Sequence, residues 1–499
     1  MHAIFDQGPP PPCPGPFNLA AYVLARADDT PDKIALAIIG PTGSERWSYA
    51  RLQAAVLGTA TGLLQTGIKP GDRILMRLGN TVDFPVCYLA AIAIGAVAVP
   101  TSAQLTAPEI TRITNSVNPA LIVAAPGIAL PDHDAPVLTQ DQLRGFRDLP
   151  AAPYDMGDPD RPGYIIFTSG TTEQPRGVVH AHRAIWARRM MFDHWYHLRN
   201  TDRLMHAGAF NWTYTLGTGL LDPWTIGATA LIPADGVKTM ALPLLIQRHD
   251  VTIFAATPGI YRQILRSDKH LHFPKLRHGL SAGEKLPQAT RTAWTDATGT
   301  PIAEAFGMSE CSTFISSTPD DPTHLRPQMG RRIAILEDGQ PVANDQPGHI
   351  AIARSDPGLM LNYLDDTAGP GDWFVTTDQA TMALEGTVTY LGRSDDMMNA
   401  GGFRVSPLEV EAALQSFPGL HDCAATEVMV KADTTVIALF YTADTDLPQA
   451  QLSAYAEERL ARYKQPRLYI RTETLPRNAN NKLQRHKLRQ RYEDTHGQT

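Results

Sequence analysis

Residues 164–178 read Tyr164-Ile-Ile-Phe-Thr-Ser-Gly-Thr-Thr-Glu-Gln-Pro-Arg-Gly-Val178. A short apolar run passes straight into hydroxyl and glycine residues, and a basic side chain follows. A loop that holds phosphate needs that order. Gly170 lets the backbone bend and turn N–H groups toward phosphate oxygens. Thr168, Ser169, Thr171 and Thr172 supply short hydroxyl donors with little side-chain entropy to lose. Arg176 can pair with a phosphate. No Gly-Lys-Ser or Gly-Lys-Thr follows, so this is not the Walker pattern. A polar hairpin turn has a similar composition, and the rest of the chain decides between the two readings.

Outward from this stretch, helical and strand patterns alternate. Arg51 to Thr66 carries apolar residues at helical spacing and stops at Gly67. Arg73-Ile-Leu-Met-Arg-Leu follows a Pro70-Gly71 turn and reads as a strand. Tyr88 to Pro100 reads as a buried helix running into a strand, since it is too short to cross a bilayer. Ala120-Leu-Ile-Val-Ala-Ala, Ala228-Thr-Ala-Leu-Ile and Val251-Thr-Ile-Phe-Ala-Ala are further short buried strands. Strands interleaved with helices predict α/β layers with largely parallel sheets. Around Gly392 the character changes. Leu408 to Phe417 reads as a helix, Thr435 to Tyr441 as a strand, and Gln451 to Tyr463 as a helix before a basic tail. The polar run Arg393-Ser-Asp-Asp marks a boundary. We therefore expect a large α/β domain of layered sheets and helices over 1–392, and a small α+β domain over 393–499, joined by a hinge. Residues 1 to about 15, with four consecutive prolines, read as a mobile arm.

The chain has 499 residues, too many for one ordinary core. Apolar residues make up 43% and charged ones 19%, a globular rather than a disordered balance. The net charge of −7 argues against a nucleic-acid partner. Cys13, Cys87, Cys311 and Cys423 lie far apart, so neither a metal knuckle nor a disulfide framework is expected, and a reducing cytoplasm fits. No signal peptide or membrane span is visible, and a homodimer is compatible with the composition. His180, His182, His194 and His197 could invite a metal reading, but the last two lack an acidic partner in register.

Three more stretches follow the first. They are Ala303-Glu-Ala-Phe-Gly-Met-Ser-Glu310, then Thr376-Thr-Asp378 with Tyr390-Leu-Gly-Arg393-Ser-Asp-Asp396, then Leu475-Pro-Arg-Asn-Ala-Asn-Asn-Lys482. In order and spacing the four resemble the motifs of the acyl-CoA synthetase, adenylation-domain and luciferase superfamily, over nearly the whole chain. In style they are closest to benzoate-type and medium-chain acyl-CoA ligases. Three positions depart from the family pattern. Glu173 stands for a glycine, Arg176 for a lysine, and Asn481 for a glycine.

The resemblance implies ATP and coenzyme A as co-substrates and Mg2+ as cofactor. A carboxylic acid, aromatic or of short to medium chain, would become an acyl-AMP with loss of pyrophosphate, and then a thioester. It implies that Thr168, Ser169, Gly170, Thr171, Thr172 and Arg176 hold phosphates, and that Glu310 carries Mg2+. Phe306 would stack on adenine, with Gly283, Glu284, Gly307, Met308 and Ser309 lining the nucleotide site. Asp378 and Arg393 would hold the ribose. Lys482 would serve catalysis, together with Glu310 and Thr168. Asp395 would be the hinge, and Gly401, Gly402 and Arg404 would meet CoA. Trp212, Tyr214, Thr215, Gly307, Met308 and Phe314 are the candidate acyl pocket. Two alternatives belong to the same superfamily: an adenylation enzyme loading a carrier protein, and a luciferase-like oxygenase. The uncharged Asn211, where amino-acid adenylating domains usually carry Asp, disfavours an α-amino substrate.

Overall fold

The computed structural model describes residues 2–168, 175–267, 271–367, 369–400, 403–431, 434–477 and 482–496. Among these, three sheets build the large part of the molecule. The first runs Arg326–Pro327, Ser312–Ser316, Ile302–Met308, His278–Ala282, Ile253–Ala256, Arg203–His206, Thr229–Pro233, Ile34–Ile39 and Ser44–Ser48 in spatial order. Its middle strands are parallel, and the two edges turn antiparallel. The middle strands are buried on both faces, which is why they read as unbroken apolar runs rather than as alternating patterns. The second sheet runs Asn362–Tyr363, Gly177–Ala181, Pro162–Phe167, Val97–Pro100, Arg73–Arg77, Leu121–Ala124 and Val137–Thr139. Between these two lies the helix Asp83–Ala93, buried at every position.

The third sheet is antiparallel: Ile4–Asp6, Arg332–Glu337, Gly348–Ala353, Trp373–Met382 and Val388–Arg393. It corrects one expectation. The first residues are not an arm throughout, because Ile4–Asp6 pairs antiparallel with Arg332–Glu337 and Ala3 is fully buried. Ala3, Ile4 and Phe5 are apolar, and the edge of Arg332–Glu337 gives this segment a backbone partner ahead of the proline run.

The remainder forms its own sheets, a hairpin of Met398–Ala400 with Phe403–Val405 and a trio of Asp422–Lys431, Thr434–Thr442 and Leu468–Arg471. The helices Pro407–Leu414, Gln449–Glu457 and Arg485–His496 accompany the trio. The second is shorter than its sequence pattern, and Arg462–Lys464 follows it as a separate 3₁₀ turn. Leu414, Leu439 and Leu452 are fully buried in a core separate from those of the large part. No helix among the described residues is long and apolar enough to cross a membrane.

Candidate active site

Each sheet contributes one group of residues to the candidate site. From the second sheet, Pro162–Phe167 ends at Thr168. Thr168 and Arg176 close the base of the loop, with Thr168 N–H donating to the Arg176 carbonyl at 3.0 Å and Arg176 N–H to Thr168 Oγ1 at 3.2 Å. Ser169, Gly170, Thr171 and Thr172 lie outside the described residues. The Arg176 guanidinium sits 3.4 Å from the ring centre of Tyr363 and 3.5 Å from Asp366.

The first sheet contributes two strand ends. Ile302–Met308 leads into Ser309 and Glu310. Glu310 is only 9% exposed and accepts a hydrogen bond from the Tyr363 hydroxyl at 2.8 Å. Burial and that carboxylate both push the Tyr363 phenol above its ordinary range, so it stays a donor. His278–Ala282 leads into Gly283, whose φ of +96° suits only glycine. The edge of the Trp212 ring approaches it, with Cη2 and Cζ2 2.9 Å from where a side-chain carbon would stand.

The third sheet places Asp378 opposite Arg393 across a strand pair. Asp378 is 8% exposed, and Tyr390 donates to its Oδ1 at 2.7 Å. Burial raises the Asp378 carboxyl, while Tyr390, Arg393 and Lys482 pull it back down. Arg393 is gripped by both oxygens of Asp395, at 2.8 and 2.9 Å. Phe306 packs 5.0 Å from Tyr390 and stays partly exposed.

The fourth contribution comes from the small part of the chain. Arg477 donates to Glu284 at 2.6 Å and to Asp422 at 3.0 Å, and Arg262 reaches Asp422 from the other side at 2.9 Å. Leu483 N–H also donates to Glu284, at 3.2 Å. These contacts hold the segment that carries Lys482 against the large part of the chain. Burial lowers its ammonium pKa, and the charges of Glu284, Asp378 and Glu310 oppose that shift.

Of the acyl-pocket candidates, Trp212, Tyr214 and Thr215 fall together. The Trp212 and Tyr214 rings meet edge to face at 5.1 Å, and His206 meets Tyr214 at 4.3 Å. Met308 stands on the other side of its strand, and Gly307 must be glycine because a side-chain carbon would meet the Ser312 carbonyl at 2.3 Å. Phe314 is fully buried with Ile333, Ile335 and Ile350, on the face opposite Thr313, so it packs as core and is placed apart from Trp212 and Tyr214. Gly401 and Gly402 lie outside the described residues, as does the Arg404 side chain. Sequence reading passed over Tyr363, Tyr390 and Arg477. Tyr390 and Arg477 stand inside quoted motifs, yet only the fold shows which carboxylates they hold.

A family model described as "AMP-binding enzyme" matches residues 23–364, and "AMP-binding enzyme C-terminal domain" matches 409–482. The chain therefore belongs to the AMP-binding enzyme family. It is 27% identical over 479 residues to a 3-hydroxybenzoate–CoA/4-hydroxybenzoate–CoA ligase of Thauera aromatica, covering 89% of this chain and 91% of that one. A benzoate–CoA ligase from the same organism is 28% identical over 487 residues, covering 89% and 90%. Among solved structures, a benzoate CoA ligase from Burkholderia xenovorans LB400 superposes with a TM-score of 0.84 at 25% identity, covering 95% of this chain and all of that one. An anthranilate CoA ligase in complex with anthranoyl-AMP gives 0.86 at 23% identity, covering 96% and 98%, a likeness of fold alone.

Proposed function

We propose that this protein activates an aromatic carboxylic acid with ATP as acyl-AMP, releasing pyrophosphate, and then transfers the acyl group to coenzyme A. The observation that carries this reading is Lys482. It comes from the small part of the chain and stands within the charge field of Glu284, Glu310 and Asp378, which belong to two sheets of the large part. The aromatic walls formed by Trp212, His206 and Tyr214, and the named activities of the relatives, support an aromatic acid.

In this reading the domains divide at 392/393 and Asp395 is the hinge. The carboxylate oxygen of the acid attacks the α-phosphorus and pyrophosphate leaves. Two anions must approach, so cationic groups in a water-poor cleft have most to contribute. Lys482 would hold the attacking carboxylate and the α-phosphate together. Glu310 fits Mg2+, being a hard oxygen donor held by Tyr363 at the candidate site. Mg2+ bound there would neutralise phosphate charge. Asp378 would accept from ribose hydroxyls, with Tyr390 fixing its rotamer. Phe306 would stack on adenine, with Gly283, Glu284, Gly307, Met308 and Ser309 around it. Four unpaired cysteines suit a reducing compartment.

Asp378→Ala should weaken ATP binding by roughly 1.5–3 kcal/mol for each hydrogen bond lost to the charged acceptor. Calorimetric titration with ATP checks this, and an unchanged affinity would remove Asp378 from the nucleotide site. The acceptor is tested by following pyrophosphate, AMP and thioester over a panel of acids, with and without CoA. CoA should be consumed one for one with AMP. Gly402→Leu should leave acyl-AMP formation in place and block the thioester step, because only small residues admit the narrow pantetheine arm. Ready acyl-AMP formation that ignores CoA would instead favour a carrier protein as acceptor.

A further inference from the structure

Beside the Trp212–Tyr214 segment lies a partly open cavity whose mixed polar and apolar lining includes Tyr88, Tyr164, His180, Arg188, Thr213 and Ser312. Thr213 sits between Trp212 and Tyr214, and Ser309, also in the lining, immediately precedes Glu310. The cavity therefore backs directly onto the segments that carry the proposed acyl pocket. It has room for one water-sized group.

Its polar atoms are unusual. The Tyr88 hydroxyl is completely buried and finds no partner among the described residues. The His180 ring is 2% exposed, and its Nε2 lies 2.7 Å from the Ser309 carbonyl while its Nδ1 has no partner. A carbonyl can only accept, so Nε2 carries the proton and Nδ1 presents a bare lone pair. Burial pushes the His180 pKa down to about 4, which keeps the ring neutral. Tyr164 stacks on His180 at 4.8 Å and holds the ring in place. Arg188 contributes no net charge, because both Asp222 oxygens pair with it, at 2.7 and 2.6 Å. Orphaned buried polar atoms cost stability, and two in one cavity are a reason to look for a ligand.

Building on the proposed acid–CoA ligase activity, we infer that this cavity receives a hydroxyl or amino substituent of the acid, donating to His180 Nδ1 and accepting from the Tyr88 hydroxyl. The substrate class is then hydroxy- or amino-substituted aromatic acids. A nitro group or second carboxylate offers only acceptors and leaves Nδ1 unpaired. A methyl group or bare ring leaves both atoms unpaired.

The test uses the full-length enzyme and pyrophosphate release. The panel holds benzoate, its hydroxy, amino, nitro and methyl isomers at each ring position, and hexanoate and octanoate. At least one hydroxy or amino isomer should exceed benzoate in kcat/KM by about tenfold or more, since a site built to bond a polar group rejects analogues lacking it. Tyr88→Phe should lower that ratio by about tenfold, with the melting temperature recorded alongside. Benzoate or a methyl isomer as best substrate would overturn the assignment while leaving the ligase reading intact. A ratio unmoved by Tyr88→Phe would do the same, and the cavity would then be a structural water site. Activation of the aliphatic acids alone would overturn the aromatic reading together with this one.

Discussion

Lys482→Ala should lower acyl-AMP formation by about 10²–10³-fold, the usual cost of removing one transition-state charge partner. Thioester formation from supplied acyl-AMP should keep most of its rate. The reasoning is geometric. The contacts of Arg477 and Leu483 with Glu284 hold the segment around Lys482 against the large part of the chain. In that pose the ammonium stands near Glu284, Asp378 and Glu310. A single cation bridging an attacking carboxylate and an α-phosphate lowers the barrier only for the step that joins those two anions. In the CoA step both have already become the mixed anhydride, and a thiol attacks instead. Single-turnover assays with labelled acid separate the two steps. Lys487→Ala, an exposed lysine in the same tail, is the matched control and should behave like the parent. Equal losses in both half-reactions for Lys482→Ala would end the assignment.

The second large effect concerns stability. Asp222 is fully buried and accepts from Arg188 Nε at 2.7 Å, Arg188 Nη2 at 2.6 Å and the Tyr196 hydroxyl at 2.8 Å. Burial pushes the Arg188 guanidinium down, but Asp222 and Tyr196 more than offset this, so it stays charged. Arg188 also donates to Ser312 Oγ and to Thr218. Gly217 must lack a side chain here, because a carbon would stand 2.4 Å from the centre of the guanidinium. Asp222→Ala leaves a buried cation unpaired and should cost about 3–5 kcal/mol. The double variant Arg188→Met/Asp222→Leu removes both charges and should recover much of that loss. Urea unfolding followed by tryptophan fluorescence reports on this region through Trp195 and Trp224, both fully buried. An Asp222→Ala midpoint equal to the parent's would show that the pair contributes nothing. The network also shapes the cavity beside the acyl wall, so the rescued variant should still have an altered preference among substituted acids.

Much of this protein follows from local sequence. A buried parallel strand announces itself as an apolar run, and a glycine and hydroxyl loop at its end needs no tertiary help to be recognised. Pro162–Phe167 with Thr168 was legible for that reason, whereas Ile302–Met308 with Glu310 was legible through its motif. Lys482 was legible only through its motif, since composition alone shows another lysine in a basic tail. Tertiary structure decided which charges answer one another. Arg188 and Arg189 look alike in sequence, yet Arg188 is buried on Asp222 while the Arg189 guanidinium lies over Trp186 at 4.1 Å. The partners are 34 residues apart, and no local pattern couples them. Phe314 and Thr313 are neighbours that strand alternation sends to opposite faces, one into core and one toward Met191. Ile4–Asp6 becomes a strand only because Arg332–Glu337 offers it an edge. Periodicity and turn chemistry act over a few residues and are written in order along the chain. Pairing of buried charges, orphaned polar atoms and sheet edges depends on what the fold brings from elsewhere.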